Sequence, residues 1–518
     1  MILAPWGCVT LCRLARRGSA SRKLPLHRFI RINVYTYPFI SMTRGRGKPP
    51  LRGGAVCAMA DWLPDQVFYS VFIDRFALAR GQTVESKRHF YPADALLRPW
   101  TALPDEPPRG RDFFGGDLDG LREKLDHVTS LGATALYLTP VFRSPSNHKY
   151  DTVDHHAVDP AFGGDEALGA LLDECRRRGL RVVLDAVLNH VSDLHPRAVS
   201  REGMLTRDGH VQRWRGFGHM PELDLDHPAV RRELFDGERA FLPKWLRRGA
   251  SGWRLDVAAD LGHRVVRDVV RVARETDPEA CVIPELMTFP EGWMGAAGDA
   301  DGVMNYYVRR ALLDWITDAV YATPARLVTR AVADVIDACG LDATLRSWSM
   351  LASHDTPRAI DACGDEARAR LATTLQFTLP GAPVVFYGEE VGMRGGADPA
   401  NRAPMRWDES LWNRSLYDHH RALIALRKKH RALRRGTFLD LAPRASDGVV
   451  AFLRATDDPT ETVLVVAQRE SVARAVHVYL PHGALHDAVR FTDLVPEGEP
   501  EALRRTPGWI ESGRVKLT

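Results

Sequence analysis

The sequence predicts an α/β protein: a TIM-type (β/α)8 barrel with a short insertion after its third strand, followed by an antiparallel β domain. Three observations carry that prediction. Eight strand-sized apolar runs alternate with helix-sized amphipathic stretches between Val67 and Tyr387. One strand-to-helix connection, from His190 to about Pro228, has no regular period and is longer than its counterparts. After about Leu433 the alternation stops and short strand-like runs follow one another.

The barrel strands are expected at Val67–Ile73, Thr134–Leu138, Arg181–Ala186, Gly252–Val257, Cys281–Glu285, Gly302–Asn305, Ser347–Leu351 and Pro383–Tyr387. Between them, Leu118, Leu121, Leu125, Val128 and Leu131 recur at helical spacing, which predicts one helix over Leu118–Leu131. Asp165–Arg178, capped by Gly179, and the stretches Asp260–Glu275 and Glu366–Thr378 continue the pattern. Beyond the barrel, Gly436–Leu441, Val449–Arg454, Thr462–Gln468 and Ala475–Leu480 read as strands, punctuated by turn signals such as Ser446-Asp447-Gly448. The expected division is a basic extension over 1–60, a barrel over 61–432 that includes the insertion at 191–230, and a C-terminal β-sandwich over 433–518.

The net charge of +4 conceals an asymmetry. The first 60 residues contain eleven Lys/Arg and no acidic residue, so residues 61–518 carry 59 basic and 66 acidic groups, a net of −7. A mildly acidic body argues against a nucleic-acid surface. No run approaches the roughly 18 apolar residues of a membrane helix. Seven cysteines without CxxC spacing read as thiols in a reducing compartment. The extension fits a transit peptide in composition and a secretory signal less well. An over-extended start, with translation beginning at Met59, is preferred because the first strand run follows so closely. A cytoplasmic location is expected, with targeting or secretion left open by the extension.

Chemistry in such a barrel sits where strands end at its C-terminal face. Strand three ends Asp185-Ala186-Val187-Leu188-Asn189-His190, strand four Arg254-Leu255-Asp256, and strand five Pro284-Glu285; strand seven leads into His354-Asp355-Thr356-Pro357-Arg358. Four strand ends thus each offer a carboxylate. Glycosidic cleavage needs a carboxylic acid to protonate the leaving oxygen and a carboxylate to attack or stabilise an oxocarbenium-like centre. Asp256 beside Arg254 suits the anion, because a guanidinium favours ionisation. Glu285, after an apolar run, suits the acid. Asp355 with His354 suits the binding of sugar hydroxyls. Singly, an Arg-x-Asp is usually a salt bridge and a His-Asp a turn; their joint occurrence at successive strand ends carries the reading.

The same residues resemble the short conserved regions of the α-amylase superfamily. Asp185-x-Val187-x-Asn189-His190 is similar to the first, Gly252–Asp256 to the second, Glu285 to the third and His354-Asp355 to the fourth. Gly116-Asp117-Leu118, His148–Thr152 and Gly381–Glu390 match as well. The resemblance implies Asp256 as nucleophile, Glu285 as acid/base and Asp355 as transition-state stabiliser. It also implies sugar-contacting roles for Tyr150, His190, Arg254 and His354, with Asp185 and Arg358 beside them. Met220-Pro221-Glu222-Leu223-Asp224 and Gly302–Tyr306 narrow it to the neopullulanase, cyclomaltodextrinase and maltogenic amylase group. Asp224, Ala259-Asp260 and Met287 depart from that group's pattern and leave bond and acceptor preference open. Its N-terminal β domain has no match in residues 1–60, and the oligomeric state is open.

The expected function is hydrolysis of α-1,4 bonds in maltooligosaccharides or cyclomaltodextrins with retention, on an α-glucan substrate, with no cofactor required. Asn189 resembles a calcium-ligand position, and an Asn that merely orients its loop is the equal alternative. A transglycosylase or trehalose-synthase-type isomerase on the same scaffold is the second reading. A non-catalytic binding subunit is a third, disfavoured by the presence of all three carboxylates.

Overall fold

Each predicted barrel run becomes a strand of one closed sheet. The computed structural model describes residues 60–107, 110–295, 298–317, 323–442, 448–469, 476–479, 494, 509–511 and 514–517. The strands are β1 (Phe68–Val71), β2 (Ala135–Leu138), β3 (Arg181–Ala186), β4 (Gly252–Leu255), β5 (Cys281–Leu286), β6 (Met304–Asn305), β7 (Trp348–Met350) and β8 (Ala382–Phe386). Each pairs in parallel with the next, and β1 closes on β8 with Phe68 opposite Val384.

Alternation along these strands sorts their side chains. Phe68, Ala135, Tyr137, Val183, Ile283, Met304, Trp348 and Val384 form one cluster inside the barrel. The intervening residues, among them Leu136, Leu184, Trp253, Leu255 and Val282, face the helices in the larger core. The strands are therefore buried on both faces, which explains their continuous apolar runs. Inside, Trp348 packs on Phe68 and Tyr137 with ring centroids 4.8 and 5.0 Å away. Gly252 lies so close to β5 that an added Cβ would sit 2.3 Å from the Cys281 carbonyl oxygen. Any larger residue there forces the two strands apart.

Two expectations, for one helix and one strand, need correction. The Leu118–Leu131 stretch is two helices, Leu118–Glu123 and Leu125–Leu131, broken at Lys124. β4 ends at Leu255, and Val257 beyond it adopts the left-handed conformation (φ 42°, ψ 48°). The barrel boundary at 432/433 falls inside the short helix Arg431–Arg435, so we propose Gly436, just beyond it, as the division. The insertion, aperiodic in sequence, contains the helix Pro196–Ser200 and a two-residue hairpin pairing Thr206–Arg207 with His210–Val211.

The C-terminal part holds two antiparallel sheets. β9 (Thr437–Asp440), β10 (Val449–Ala455) and β11 (Val463–Gln468) form one; β12 (Val476–Tyr479), β13 (Trp509–Glu511) and β14 (Arg514–Leu517) form the other, in the order β12-β14-β13. The last two strands were not foreseen, because runs of three and four residues are too short to show alternation. Val478 of the second sheet joins a cluster with Leu441, Val449, Ala451, Leu453 and Ala455 of the first.

The readings of residues 1–59, of Cys8, Cys12 and Cys57, and of the turn at Pro481–Gly483 lie outside the described residues. Cys175, Cys281, Cys339 and Cys363 are free and buried. No helix among the described residues is long and apolar enough to cross a membrane.

Candidate active site

Period-two alternation decides which strand residues reach the barrel mouth. Cys281 and Ile283 of β5 line the interior, so Glu285 continues on the same side; by the same rule Asp185 follows Val183 on β3. On β4, Arg254 continues from Gly252 toward the mouth. The Arg254 guanidinium is wholly buried and is the hub of the site. Its Nη1 donates at 2.9 Å to Asp256 Oδ1 and at 2.9 Å to both oxygens of Asp185. Its Nη2 lies 2.8 Å from Glu285 Oε2, an ion contact without hydrogen-bond alignment. Glu285 Oε2 also accepts from the Val257 N–H at 3.1 Å. The left-handed backbone of Val257, costly for a β-branched residue, thus places an amide on the candidate acid.

A second chain of contacts closes the opposite side. Tyr150 donates to Asp185 Oδ2 at 2.9 Å, and its oxygen is 2.7 Å from His354 Nε2. His354 Nε2 is 3.0 Å from Asp355 Oδ2, and Arg402 Nη2 is 3.1 Å from Asp355 Oδ1. Tyr150 stacks on His354 at 5.4 Å. His190 Nε2 is buried without a hydrogen-bond partner, 4.0 Å from Asp256 Oδ2.

Burial is the largest influence on Asp256 and pushes its carboxyl well above the usual range; Arg254 opposes this, and Glu285, Asp185 and Asp355 reinforce it. Arg254 acts in the expected direction, and burial acts against it. Burial would also raise Asp355, but His354, Arg402 and Arg254 outweigh it and hold that carboxyl well below the usual range. Burial depresses His190 to about 3, which leaves the imidazole neutral.

The structure thus brings together Asp185, Arg254, Asp256, Glu285, Tyr150, His190, His354 and Asp355. Arg358 is not among them: its Nη1 donates to the Tyr387 carbonyl at 2.5 Å and its guanidinium lies on the Phe386 and Tyr387 rings, where it supports the end of β8. Its Nε and Nη2 are buried without hydrogen-bond partners. Asn189 places its side-chain amide 3.5 Å from His190 Nδ1, and its backbone carbonyl accepts from the Leu223 N–H. Among the described residues the metal-type donors that converge are His155, His195 and Glu233. The Arg197 N–H donates to His195 Nδ1 at 3.1 Å, so the neutral ring carries its proton on Nε2, 3.6 Å from Glu233 Oε1. Arg197 Nε donates to Glu233 Oε2 at 2.5 Å. With His155 Nε2 2.9 Å from the Val187 carbonyl, these contacts form a network that ties the insertion down.

Sequence reasoning missed Arg402, Tyr137 and Trp214. Tyr137, whose hydroxyl donates to Asp185 Oδ2 at 2.7 Å, was legible from alternation on β2. Arg402 follows β8 at a distance in sequence that no pattern links to Asp355.

Comparison with known proteins agrees with this geometry. The family model described as alpha amylase, catalytic domain, matches residues 70–204 and 212–436. The chain is 36% identical to a cyclomaltodextrinase of Geobacillus thermopakistaniensis (strain MAS1) over 437 residues, 80% of this chain and 71% of that protein. It is 34% identical to neopullulanase 2 of Thermoactinomyces vulgaris over 445 residues, 81% and 72% of the two chains. A solved cyclomaltodextrinase superposes with a TM-score of 0.74 at 31% identity, covering 89% of this chain and 77% of the other. The ligand-free cyclic α-maltosyl-(1→6)-maltose hydrolase of Arthrobacter globiformis does so with 0.71 at 30% identity, covering 82% and 94%. With that family model spanning more than half of the chain, and these carboxylates at the ends of these strands, the protein is a glycosidase belonging to the α-amylase family.

Proposed function

We propose that this protein is a retaining hydrolase of α-1,4-glucosidic bonds in maltooligosaccharides, cyclomaltodextrins or related α-glucans. The observation that carries the reading is the single guanidinium of Arg254 in contact with Asp185, Asp256 and Glu285 at the barrel mouth. Asp256 attacks the anomeric carbon while Glu285 gives its proton to the departing glycosidic oxygen, leaving a glucosyl ester on Asp256 and a free sugar. Glu285, now ionised, takes a proton from water, whose oxygen displaces the ester; two inversions return the starting anomer. Tyr150 and the neutral His190 border the sugar. Asp355, held ionised by Arg402 and His354, accepts hydroxyl hydrogen bonds and opposes the developing positive charge. Arg254 keeps the carboxylates in register and balances their charge. The names of the relatives support the substrate class. The carboxyl groups perform the reaction without an organic cofactor.

The test is incubation of the protein with maltotriose, β-cyclodextrin, pullulan, starch, maltose and sucrose, with Asp256→Ala protein as the blank. Products are resolved by chromatography and their first-formed anomer by proton NMR. The expected result is glucose and maltose released as the α-anomer, absent from the blank. A first-formed β-anomer overturns retention. Trehalose or longer sugars from maltose shifts the assignment to transglycosylation or isomerisation, and no product from any sugar removes the substrate class.

A further inference from the structure

The insertion touches the carboxylate pocket through one aromatic side chain. Trp214 stacks on His190 at 4.8 Å with 20° between ring planes. Its indole Nε1–H donates to Asp260 Oδ2 at 2.8 Å. Asp260 lies in the first turn of the helix Ala258–Thr276, which begins two residues after Asp256. A single side chain therefore joins three segments: the insertion, the loop after β3 that carries His190, and the helix after β4.

The local backbone holds Trp214 for this task. Its N–H donates to the Met220 carbonyl, and the Phe217 N–H returns to the Trp214 carbonyl, both at 2.9 Å. Between them Arg215 is left-handed (φ 47°), a strained state for a non-glycine residue, and places its guanidinium 5.1 Å from the indole. The indole thus contacts both the Arg215 guanidinium and the His190 ring. His190 needs such support. Its Nε2 has no protein hydrogen bond, and its neighbour through Nδ1 is the Asn189 amide at 3.5 Å, which is a weak restraint. A backbone hydrogen bond with Tyr150 also acts on the imidazole, and stacking against Trp214 adds a broad contact that restrains its plane beside Asp256.

We propose that Trp214 is a positioning residue for His190, and that the Trp214–Asp260 hydrogen bond latches the insertion against the helix after β4. The inference rests on the catalytic reading above. Breaking the latch lets the insertion and the His190 ring move together, so the cost falls on the chemical step more than on sugar capture. The hydrogen bond lies at the exposed rim, so it is the weaker half of the device; the ring contact is the stronger.

The experiment compares Trp214→Phe, Trp214→Ala, Asp260→Ala and Asp260→Asn with the unaltered chain and with Asp256→Asn, on maltotriose and β-cyclodextrin. Kinetics are paired with hydrogen–deuterium exchange of peptides spanning residues 204–223. Trp214→Ala is expected to lower kcat about tenfold with KM changed less than about twofold, and to speed exchange across those peptides. Trp214→Phe keeps a ring on His190 and loses the N–H. It is expected to lose about two- to threefold in kcat, matching Asp260→Ala, and the two changes combined cost no more than either alone. Asp260→Asn, which still offers an acceptor, recovers most of what Asp260→Ala loses. Faster exchange with unchanged kcat in Trp214→Ala overturns the positioning role and leaves Trp214 a loop-packing residue. Unchanged exchange in both Trp214→Ala and Asp260→Ala overturns the latch. Should Trp214→Ala fail to fold, the match between Trp214→Phe and Asp260→Ala still decides. Full activity of Asp256→Asn removes the catalytic reading itself, an outcome separate from either of these.

Discussion

Burial and the negative charges of Glu285, Asp185 and Asp355 push the Asp256 carboxyl upward, and Arg254 pulls it back. A nucleophile must be ionised, so the acid limb of kcat/KM is expected above the range of an ordinary aspartate. Glu285→Gln removes one of the raising charges, so with α-maltosyl fluoride, whose leaving group needs no protonation, the acid limb moves to lower pH. Against maltotriose the same variant loses roughly 10²–10⁴ in kcat, the usual worth of a general acid. A pH profile that does not move means that Asp256 is not the titrating group. At this scale the sequence was informative where catalytic residues end strands: Asp185, Arg254, Asp256 and Glu285 could be read because β3, β4 and β5 are regular. Arg402 could not, since its contact with Asp355 spans 47 residues and arises from a loop beyond β8. The contacts of Arg358 were hidden for a related reason. Its neighbours in sequence are the candidate residues, whereas its guanidinium is turned toward β8.

The insertion is held by polar contacts more than by a core of its own. His155 comes from the strand Asp154–Val158, His195 and Arg197 from the start of the helix Pro196–Ser200, and Glu233 from the helix Pro228–Leu234. Burial would raise Glu233, but hydrogen bonding to His195 and the hydrogen bond and charge of Arg197 lead it down from 4.5 to about 2, with the imidazole of His155, neutral above about pH 4, adding its charge only in acid. Because the folded value is depressed, the stabilisation is complete above pH 4.5 and fades as pH falls toward 2. Glu233→Gln is therefore expected to lower stability by about 2–3 kcal/mol near neutral pH, with the gap closing at acid pH. Chemical denaturation of both proteins between pH 7 and 3 measures this, and a constant gap would assign the loss to packing. His195 and Arg197 were invisible in sequence because no periodicity runs through His190–Pro228, and His155 and Glu233 because their meeting spans 78 residues. The helices at Gly164–Arg177 and Glu366–Thr378, each with one face on the barrel, were legible to within a residue.

For the molecule as a whole, the described chain starts with a docked residue. Ala60 is fully buried and its N–H donates to Asp301 Oδ1 at 3.0 Å, on the same carboxylate that pairs with Arg274. A chain starting at Met59 is expected to keep the thermal midpoint and kcat/KM of the full sequence, while a start at Leu63 leaves Asp301 short of a donor and lowers stability by about 1–3 kcal/mol. Thermal denaturation of the two truncations tests both. Equal losses in the two would give the basic extension a structural role.

The alternation of eight apolar runs with amphipathic stretches determined the barrel, because a parallel strand buried on both faces and a helix buried on one leave different periods in a sequence. The residues at the strand ends determined the chemistry, because the barrel turns its C-terminal ends toward one mouth. Tertiary structure decided the rest: which cation each carboxylate meets, that burial as well as Arg254 governs Asp256, that Arg358 faces away, and that Trp214 reaches His190. These depend on contacts between residues far apart in the chain, and on a desolvation cost that exists only once the site has closed around them.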